Sequence, residues 1–184
     1  MEWLRYGKQH YPNRMCMNEY TYHDIYSAVV YVATRLQTLL DRRIAIVSDN
    51  SVTMAVYLLA AMLVRKEVLL LNVHLTTLEI ENQLCELHIT TVLHSAKRRT
   101  QVPASVRAIE FESVEPTLHD TAEDTFDWTF AEHDIAAIMN TSATTGQFKS
   151  VPLRWGQIKA HVQASQEVLG RSEQDNWLMV LPLF

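Results

Sequence analysis

The sequence predicts an α/β fold, a largely parallel sheet with crossover helices, on three observations. Short apolar, β-branched runs alternate with segments of helical period. The turns leading into the helical segments carry residues that cap helices. The strand-turn-helix unit then repeats, giving two βαβ crossovers before residue 95.

In order, 22–40 places Ile25, Val29, Val32, Ala33, Leu36 and Leu40 at three- and four-residue spacings, the stripe of an amphipathic helix. Residues 44–47 form a brief strand, and Asp49, Asn50 and Ser51 then offer side-chain oxygens to the free amides of a following helix. The run 52–64 is apolar except for Thr53, well short of the roughly 20 residues a membrane span needs, so it reads as a buried helix. No stop glycine follows it; Arg65 and Lys66 stand there, and their charge suits the terminal carbonyls. Residues 68–71 repeat the strand, Thr76 or Thr77 caps a helix running to Leu87, and 89–93 returns to the sheet. The stretch 95–132 contains Pro103 and Pro116, a strand at 106–111 and acidic residues from 120 to 127, and reads as an irregular excursion. A strand at 135–139, an extended restart at 151–153, a helix over 155–169 stopped by Gly170, and a hydrophobic strand over 177–184 complete the chain. The expected organisation is one partial domain: βαβ units over 1–94, the excursion over 95–132, and a strand, loop, helix and final strand over 133–184. Ending on so apolar a run leads to the expectation that the sequence is cut inside a domain, its C-terminal part absent.

Composition narrows the function. With 184 residues, 48% hydrophobic and 20% charged, the chain can bury one sizeable core. A net charge of -5 provides no basic field for nucleic acid or an anionic membrane surface. The opening residues lack the basic start and apolar run of a signal peptide, which makes the cytoplasm the expected location. Cys16 and Cys85 are too few and too far apart for a disulfide framework, and are expected to be reduced core thiols. His74, His88 and His94 show no metal-binding spacing and read as surface or hydrogen-bonded histidines. Asp120, Glu123, Asp124 and Asp127 lack the glycine of a calcium loop and read as a solvated segment. Trp3, Trp128, Trp155 and Trp177 lie in four separate segments, as packing residues rather than a stacking platform for bases.

The chemistry concentrates in Thr141-Ser142-Ala143-Thr144-Thr145-Gly146-Gln147-Phe148-Lys149, directly after a predicted buried strand. Four hydroxyls, consecutive backbone amides, one glycine and one lysine are the donors a polyphosphate needs. The same residues also suit an ordinary solvated turn. Lys149 does not follow Gly146 directly, which rules out the common P-loop, and no G-x-G-x-x-G follows an early strand.

This loop resembles the signature of the adenylate-forming superfamily of acyl-CoA synthetases, luciferases and peptide-synthetase adenylation domains, roughly TSGTTG-x-PK-G. Thr141, Ser142, Thr144, Thr145, Gly146 and Lys149 match in register, while Ala143, Phe148 and Ser150 replace a glycine, a proline and a glycine. Thr21-Tyr22-His23-Asp24-Ile25-Tyr26 is similar to the family's opening T-Y-x-E-L helix, the segment from Ile44 to its V-A-I-x-x-x-N-S turn, and the segment from Leu69 to its P-L-N-x-x-L-T-x-x-E-L stretch. Within the superfamily, the short route to the loop and the ending D-N-W-L-M-V-L-P-L-F look most like the o-succinylbenzoate-CoA ligases of menaquinone biosynthesis; a general fatty-acyl or aryl-CoA synthetase is the alternative.

The resemblance implies a reaction in which ATP, with Mg²⁺, and a carboxylate give acyl-AMP and pyrophosphate, and CoA then displaces AMP. It implies that the loop holds the β- and γ-phosphates, with Thr141, Ser142, Thr144 and Thr145 as donors, Ala143 in the loop where the family has a glycine, Gly146 as the point of close backbone approach, and Lys149 as the cation. The family's adenine, magnesium and ribose motifs and its C-terminal lysine are not in this sequence, so no residue of the chemical step itself is identified and the piece alone is expected to be inactive. A non-catalytic remnant that binds a partner or a second copy through its final strand is the rival expectation.

Overall fold

The computed structural model describes residues 1–113, 124–141, 148–170, 172, 175–179 and 181–183. Helix α1 (Glu2–His10) leads into a small hairpin, β1 (Met15–Met17) with β2 (Tyr20–Thr21), and then α2 (Tyr22–Leu36). The main sheet is built from β3 (Arg43–Val47), β4 (Glu67–Leu70), β5 (Thr91–His94), β6 (Arg107–Glu110), β7 (Ile135–Thr141) and β8 (Lys149–Arg154). Helix α3 (Val52–Leu63) joins β3 to β4, α4 (Thr77–Glu86) joins β4 to β5, a 3₁₀ helix (Ala96–Gln101) follows β5, and α5 (Trp155–Leu169) follows β8. In space the strands run β6-β5-β3-β4-β7-β8. Every pairing is parallel except β7 with β8, which is antiparallel. The expected fold class is thus observed, with both βαβ crossovers in place.

Alternation along the strands explains the layers, because successive side chains of a strand leave on opposite faces. Ile44, Ile46, Val68, Leu70, Leu93 and Ala137 face a core shared with α1, α2 and α3, where Leu4, Ile25, Val29, Met54 and Val56 are buried. Ala45, Val47, Leu69, Leu71, Val92 and Ile138 face a second core with Ile80 and Leu84 of α4. The sheet therefore lies between two apolar layers, and near-continuous apolar strands were the sequence's sign of it.

Local chemistry sets the helix ends. Thr21 with Asp24, and Thr76 with Glu79, form capping boxes at α2 and α4, and the Ser51 hydroxyl accepts the Met54 amide at 3.0 Å to start α3. Helices α3 and α4 close without glycine. Arg65 (φ 62°) and His88 (φ 54°) take the left-handed position, and the next amides reach back, Lys66 N to Ala61 O at 2.9 Å and Ile89 N to Leu84 O at 2.8 Å. The Lys66 ammonium instead donates to Leu39 O at 2.6 Å and the Arg65 guanidinium to Thr129 O and Asp127, so backbone amides close α3 and not the side-chain charge expected there.

Several expectations are corrected. Helix α2 ends at Leu36, not 40, because the Thr38 hydroxyl takes the Arg35 carbonyl and the chain turns. Leu39 is then buried and Leu40 fully exposed. Helix α1 and the β1-β2 hairpin were not anticipated. Among the described residues of 95–132 the expected strand is present as β6, and a 3₁₀ helix that was not anticipated precedes it. Of the acidic residues, Asp120 and Glu123 lie outside the described residues, whereas Asp124 is tied down: it accepts the Tyr26 hydroxyl and the Trp128 indole N–H at 3.0 and 3.1 Å. Trp128 is 1% exposed and stacks on Tyr26, while Trp3 and Trp177 stand in solvent. Cys85 is exposed, not a core thiol; Cys16 is half-buried, and burial pushes its thiol up to about 11. The final strand is not formed over the described residues 175–179 and 181–183. Pro182 lacks an N–H for a ladder, and residues 181 and 183 bond to a side chain instead of a strand.

Candidate functional site

In open parallel sheets ligands collect beyond the carboxyl ends of the strands, where neighbouring strands send the chain in opposite directions. Here β4 continues through α4 towards β5, and its neighbour β7 turns the other way into β8. The loop 142–148 joins β7 to β8 at that edge. Of the predicted phosphate-binding residues, Ser142, Ala143, Thr144, Thr145 and Gly146 lie outside the described residues; Thr141 and Lys149 are described.

Thr141 and Lys149 are register partners closing the hairpin, and the Thr141 hydroxyl donates to Lys149 O at 3.3 Å. Both residues are exposed, and among the described residues the Lys149 ammonium has no acidic partner. A lysine left unpaired at the mouth of a hydroxyl-rich loop is suited to an anionic ligand.

One turn deeper, a polar chain braces the hairpin. Asn140 pairs with Ser150 across the ladder; the Ser150 hydroxyl donates to Asn140 Oδ1 at 2.7 Å, and the Asn140 amide donates to Gln83 Oε1 of α4. Gln83 is only 4% exposed. Sequence reasoning missed the roles of Gln83 and Asn140, and had Ser150 only as a departure from the resembled signature. Their one visible trace was a glutamine three residues after Ile80, on the face of α4 that otherwise carries Ile80, Leu84 and Leu87. Ser150, which departs from the resembled signature, thereby acquires a defined contact.

Further along the same edge, Asp49 after β3 is held by Arg98, whose Nε lies 3.1 Å away, with Lys97 at 3.6 Å. The Arg98 hydrogen bond keeps the Asp49 carboxyl below its ordinary value. Arg98 and Gln101 also donate to Val73 O, pinning the β4-α4 turn. At the amino end of the sheet a cleft of about 470 Å³ is lined by Arg42, Arg65, Glu67, Asp127, Phe130 and Asp134. Its charges pair with one another, Arg65 with Asp127 and Arg42 with Glu67, and it is remote from the hairpin loop.

Residues 5–184 match the AMP-binding enzyme family. The chain belongs to that family. Among its relatives, a 2-succinylbenzoate–CoA ligase of Lactococcus lactis is 43% identical over 100% of this chain and 40% of its own length. The o-succinylbenzoate CoA synthetase of Bacillus subtilis bound with a product analogue superposes with a TM-score of 0.83 at 27% identity, covering 98% of this chain and 39% of that one. The same synthetase in complex with ATP and magnesium gives a TM-score of 0.82 at 26% identity, over 98% of this chain and 50% of the other. The chain thus spans about 40% of the length of the curated relative it matches. Among the described residues no helix is long and apolar enough to cross a membrane.

Proposed function

We propose that this chain supplies the polyphosphate grip of an ATP-dependent carboxylate-CoA ligase, with o-succinylbenzoate as the carboxylate. The observation that carries the reading is the β7-β8 hairpin at the carboxyl edge of a parallel sheet, presenting exposed Thr141 and Lys149 at the ends of a hydroxyl-rich loop, in a chain of the AMP-binding family. In the reaction a carboxylate oxygen attacks the α-phosphorus of ATP, the bond to the leaving pyrophosphate breaks, and acyl-AMP forms. The CoA thiolate then attacks the acyl carbon and AMP departs.

Two anions must meet in the first step, so positioned donors and cations matter more than a protein nucleophile. Thr141, Ser142, Thr144 and Thr145 are assigned as hydroxyl donors, Gly146 as the point of close backbone approach, Ala143 as part of the same phosphate-binding loop, and Lys149 as the cation on the β- and γ-phosphates. Among the described residues no three His, Cys, Asp or Glu side chains are grouped to hold a metal ion. Mg²⁺ accordingly enters this reading with the triphosphate, as part of the substrate, and CoA as the second substrate.

Pyrophosphate release by the complete protein, assayed against a panel of carboxylates, tests the proposal. O-succinylbenzoate should give the highest kcat/KM; preference for medium-chain fatty acids would overturn the choice of carboxylate while leaving the adenylation chemistry. Lys149→Ala should slow acyl-AMP formation about 100-fold, the scale on which one transition-state donor acts, and spare thioester formation from supplied acyl-AMP. Equal loss in both half-reactions would refute its role at the phosphates.

A second reading rests on a different observation. No residue of α5 is buried, and Val168, Leu169, Trp177 and Leu178 are at least 65% exposed. We propose that this apolar surface drives self-association of the 184-residue chain, by face burial and not through strand pairing. Light scattering that shows a monomer across a concentration series would exclude it.

A further inference from the structure

Asn50 stands between β3 and α3, one residue before the Ser51 cap. Its side chain plays no part in starting the helix. It reaches instead to a segment more than 130 residues away in sequence, donating from Nδ2 to Leu181 O at 2.8 Å and accepting the Leu183 amide on Oδ1 at 3.2 Å. One carboxamide thereby meets the carbonyl of one residue and the N–H of the residue two further on. That is the pattern with which a residue in a parallel ladder engages its neighbour. Pro182, between the two, has no N–H and so leaves no donor unpaired there.

The surroundings show how much depends on this contact. Trp177, Leu178, Met179 and Leu181 are 77%, 86%, 56% and 75% exposed, and among the described residues of this segment Leu183 alone packs against the core. The position matters as well: Asn50 follows the carboxyl end of β3, and β7 runs parallel two strands away, so segment 181–183 and the Thr141–Lys149 hairpin mouth lie along one edge of the sheet. Two strand spacings are about 10 Å, a separation that accommodates a nucleotide or a small carboxylate.

We propose that Asn50 is a positioning residue that clamps segment 181–183 at the carboxyl edge of the sheet, where it forms the wall of the site facing the phosphate hairpin. The clamp itself stands on the geometry; its catalytic consequence rests on the ligase reading above. Since the hairpin grips the phosphates from β7, loss of the clamp acts on the second substrate and on turnover, not on the grip of ATP.

The test uses the complete protein with Asn50→Ala and Asn50→Asp. Asn50→Ala removes both bonds; Asn50→Asp keeps an acceptor for the Leu183 amide but sets an anion against the Leu181 carbonyl. In both, hydrogen exchange in peptides containing Leu183 should rise about tenfold, the scale set by one or two lost hydrogen bonds, with exchange over 44–47 unchanged. In steady-state assays kcat/KM for the carboxylate should fall about tenfold while KM for ATP stays within twofold of the original. Unchanged exchange at Leu183 would overturn the clamp, as would a rise shared with 44–47, which would report general loss of fold. An equal shift in KM for ATP would overturn the positioning role. Absence of pyrophosphate release from the unsubstituted protein would overturn the ligase reading, and exchange would still decide the clamp.

Discussion

Replacing His88 and Arg65 by glycine, one at a time, sets two opposing effects against each other at equivalent positions. Each residue follows the last turn of a helix with positive φ, 54° and 62°. An L-residue pays about 1 kcal/mol there relative to glycine. His88 is exposed and among the described residues its ring has no hydrogen-bond or ion-pair partner, so His88→Gly should recover most of that cost. Arg65 is different. Its guanidinium donates to Thr129 O, to Asp127 O at 3.3 Å and to Asp127 Oδ2 at 3.1 Å, and lies 3.9 Å over the Phe130 ring. The side chain is 40% exposed, so the ion pair is screened. An exposed pair contributes under about 1 kcal/mol, a cation over a ring about 0.5–1, and the carbonyl bonds up to about 1 each, or roughly 2 in all after discounting for solvent. Strain relief offsets half of this, leaving Arg65→Gly less stable by about 1 kcal/mol. For a chain of this size 1 kcal/mol is about 2–4 °C in Tm. Thermal unfolding followed by circular dichroism should therefore rank His88→Gly above the original chain and Arg65→Gly below it. Arg65→Ala, which keeps the strain and loses the guanidinium, should rank lowest. A rise for Arg65→Gly equal to that for His88→Gly would show that the guanidinium contributes nothing; a fall for His88→Gly would refute the strain argument.

Two other perturbations address the site and the acid limb. Gln83→Leu removes the acceptor of the half-buried Asn140 amide and should cost about 1–2 kcal/mol, read by denaturant titration, with faster amide exchange at 140–141 and 149–150 as the local sign; unchanged exchange there would show that the brace is idle. Asp41, whose carboxylate accepts the Thr90 and Thr91 hydroxyls, is held below its ordinary value of 3.8, chiefly by the Thr90 bond. A depressed folded value gives stability that is present above pH 3.8 and is lost as the pH falls through the folded value. Asp41→Asn should flatten that part of the stability curve, and an unaltered acid limb would contradict the assignment.

The fold class was legible because its signals are local. Apolar runs such as 44–47 and 68–71, the caps at Ser51 and Thr76, and the stop at Gly170 each depend on residues within one turn of each other. The strand before the loop at 141–149 was legible for the same reason, and it is observed as β7. Where local rules misled, a distant contact had intervened. The run at 177–184 has strand composition, yet its described part is held by Asn50 and carries no ladder. Asp124 reads as a solvated acid until α2 brings Tyr26 to it.

Composition and period, acting within a few residues, by themselves determined the alternation of strands and helices and the two crossovers. Only the tertiary structure decided which polar side chains serve as fasteners. Gln83 and Asn140 are 57 residues apart, and Asn50 and Leu181 are 131 apart. A carboxamide has no period and no preferred neighbour along the chain. Its two donors and its oxygen take whichever backbone or side chain the packed sheet brings within about 3 Å, and that proximity exists only once the strands have taken their order.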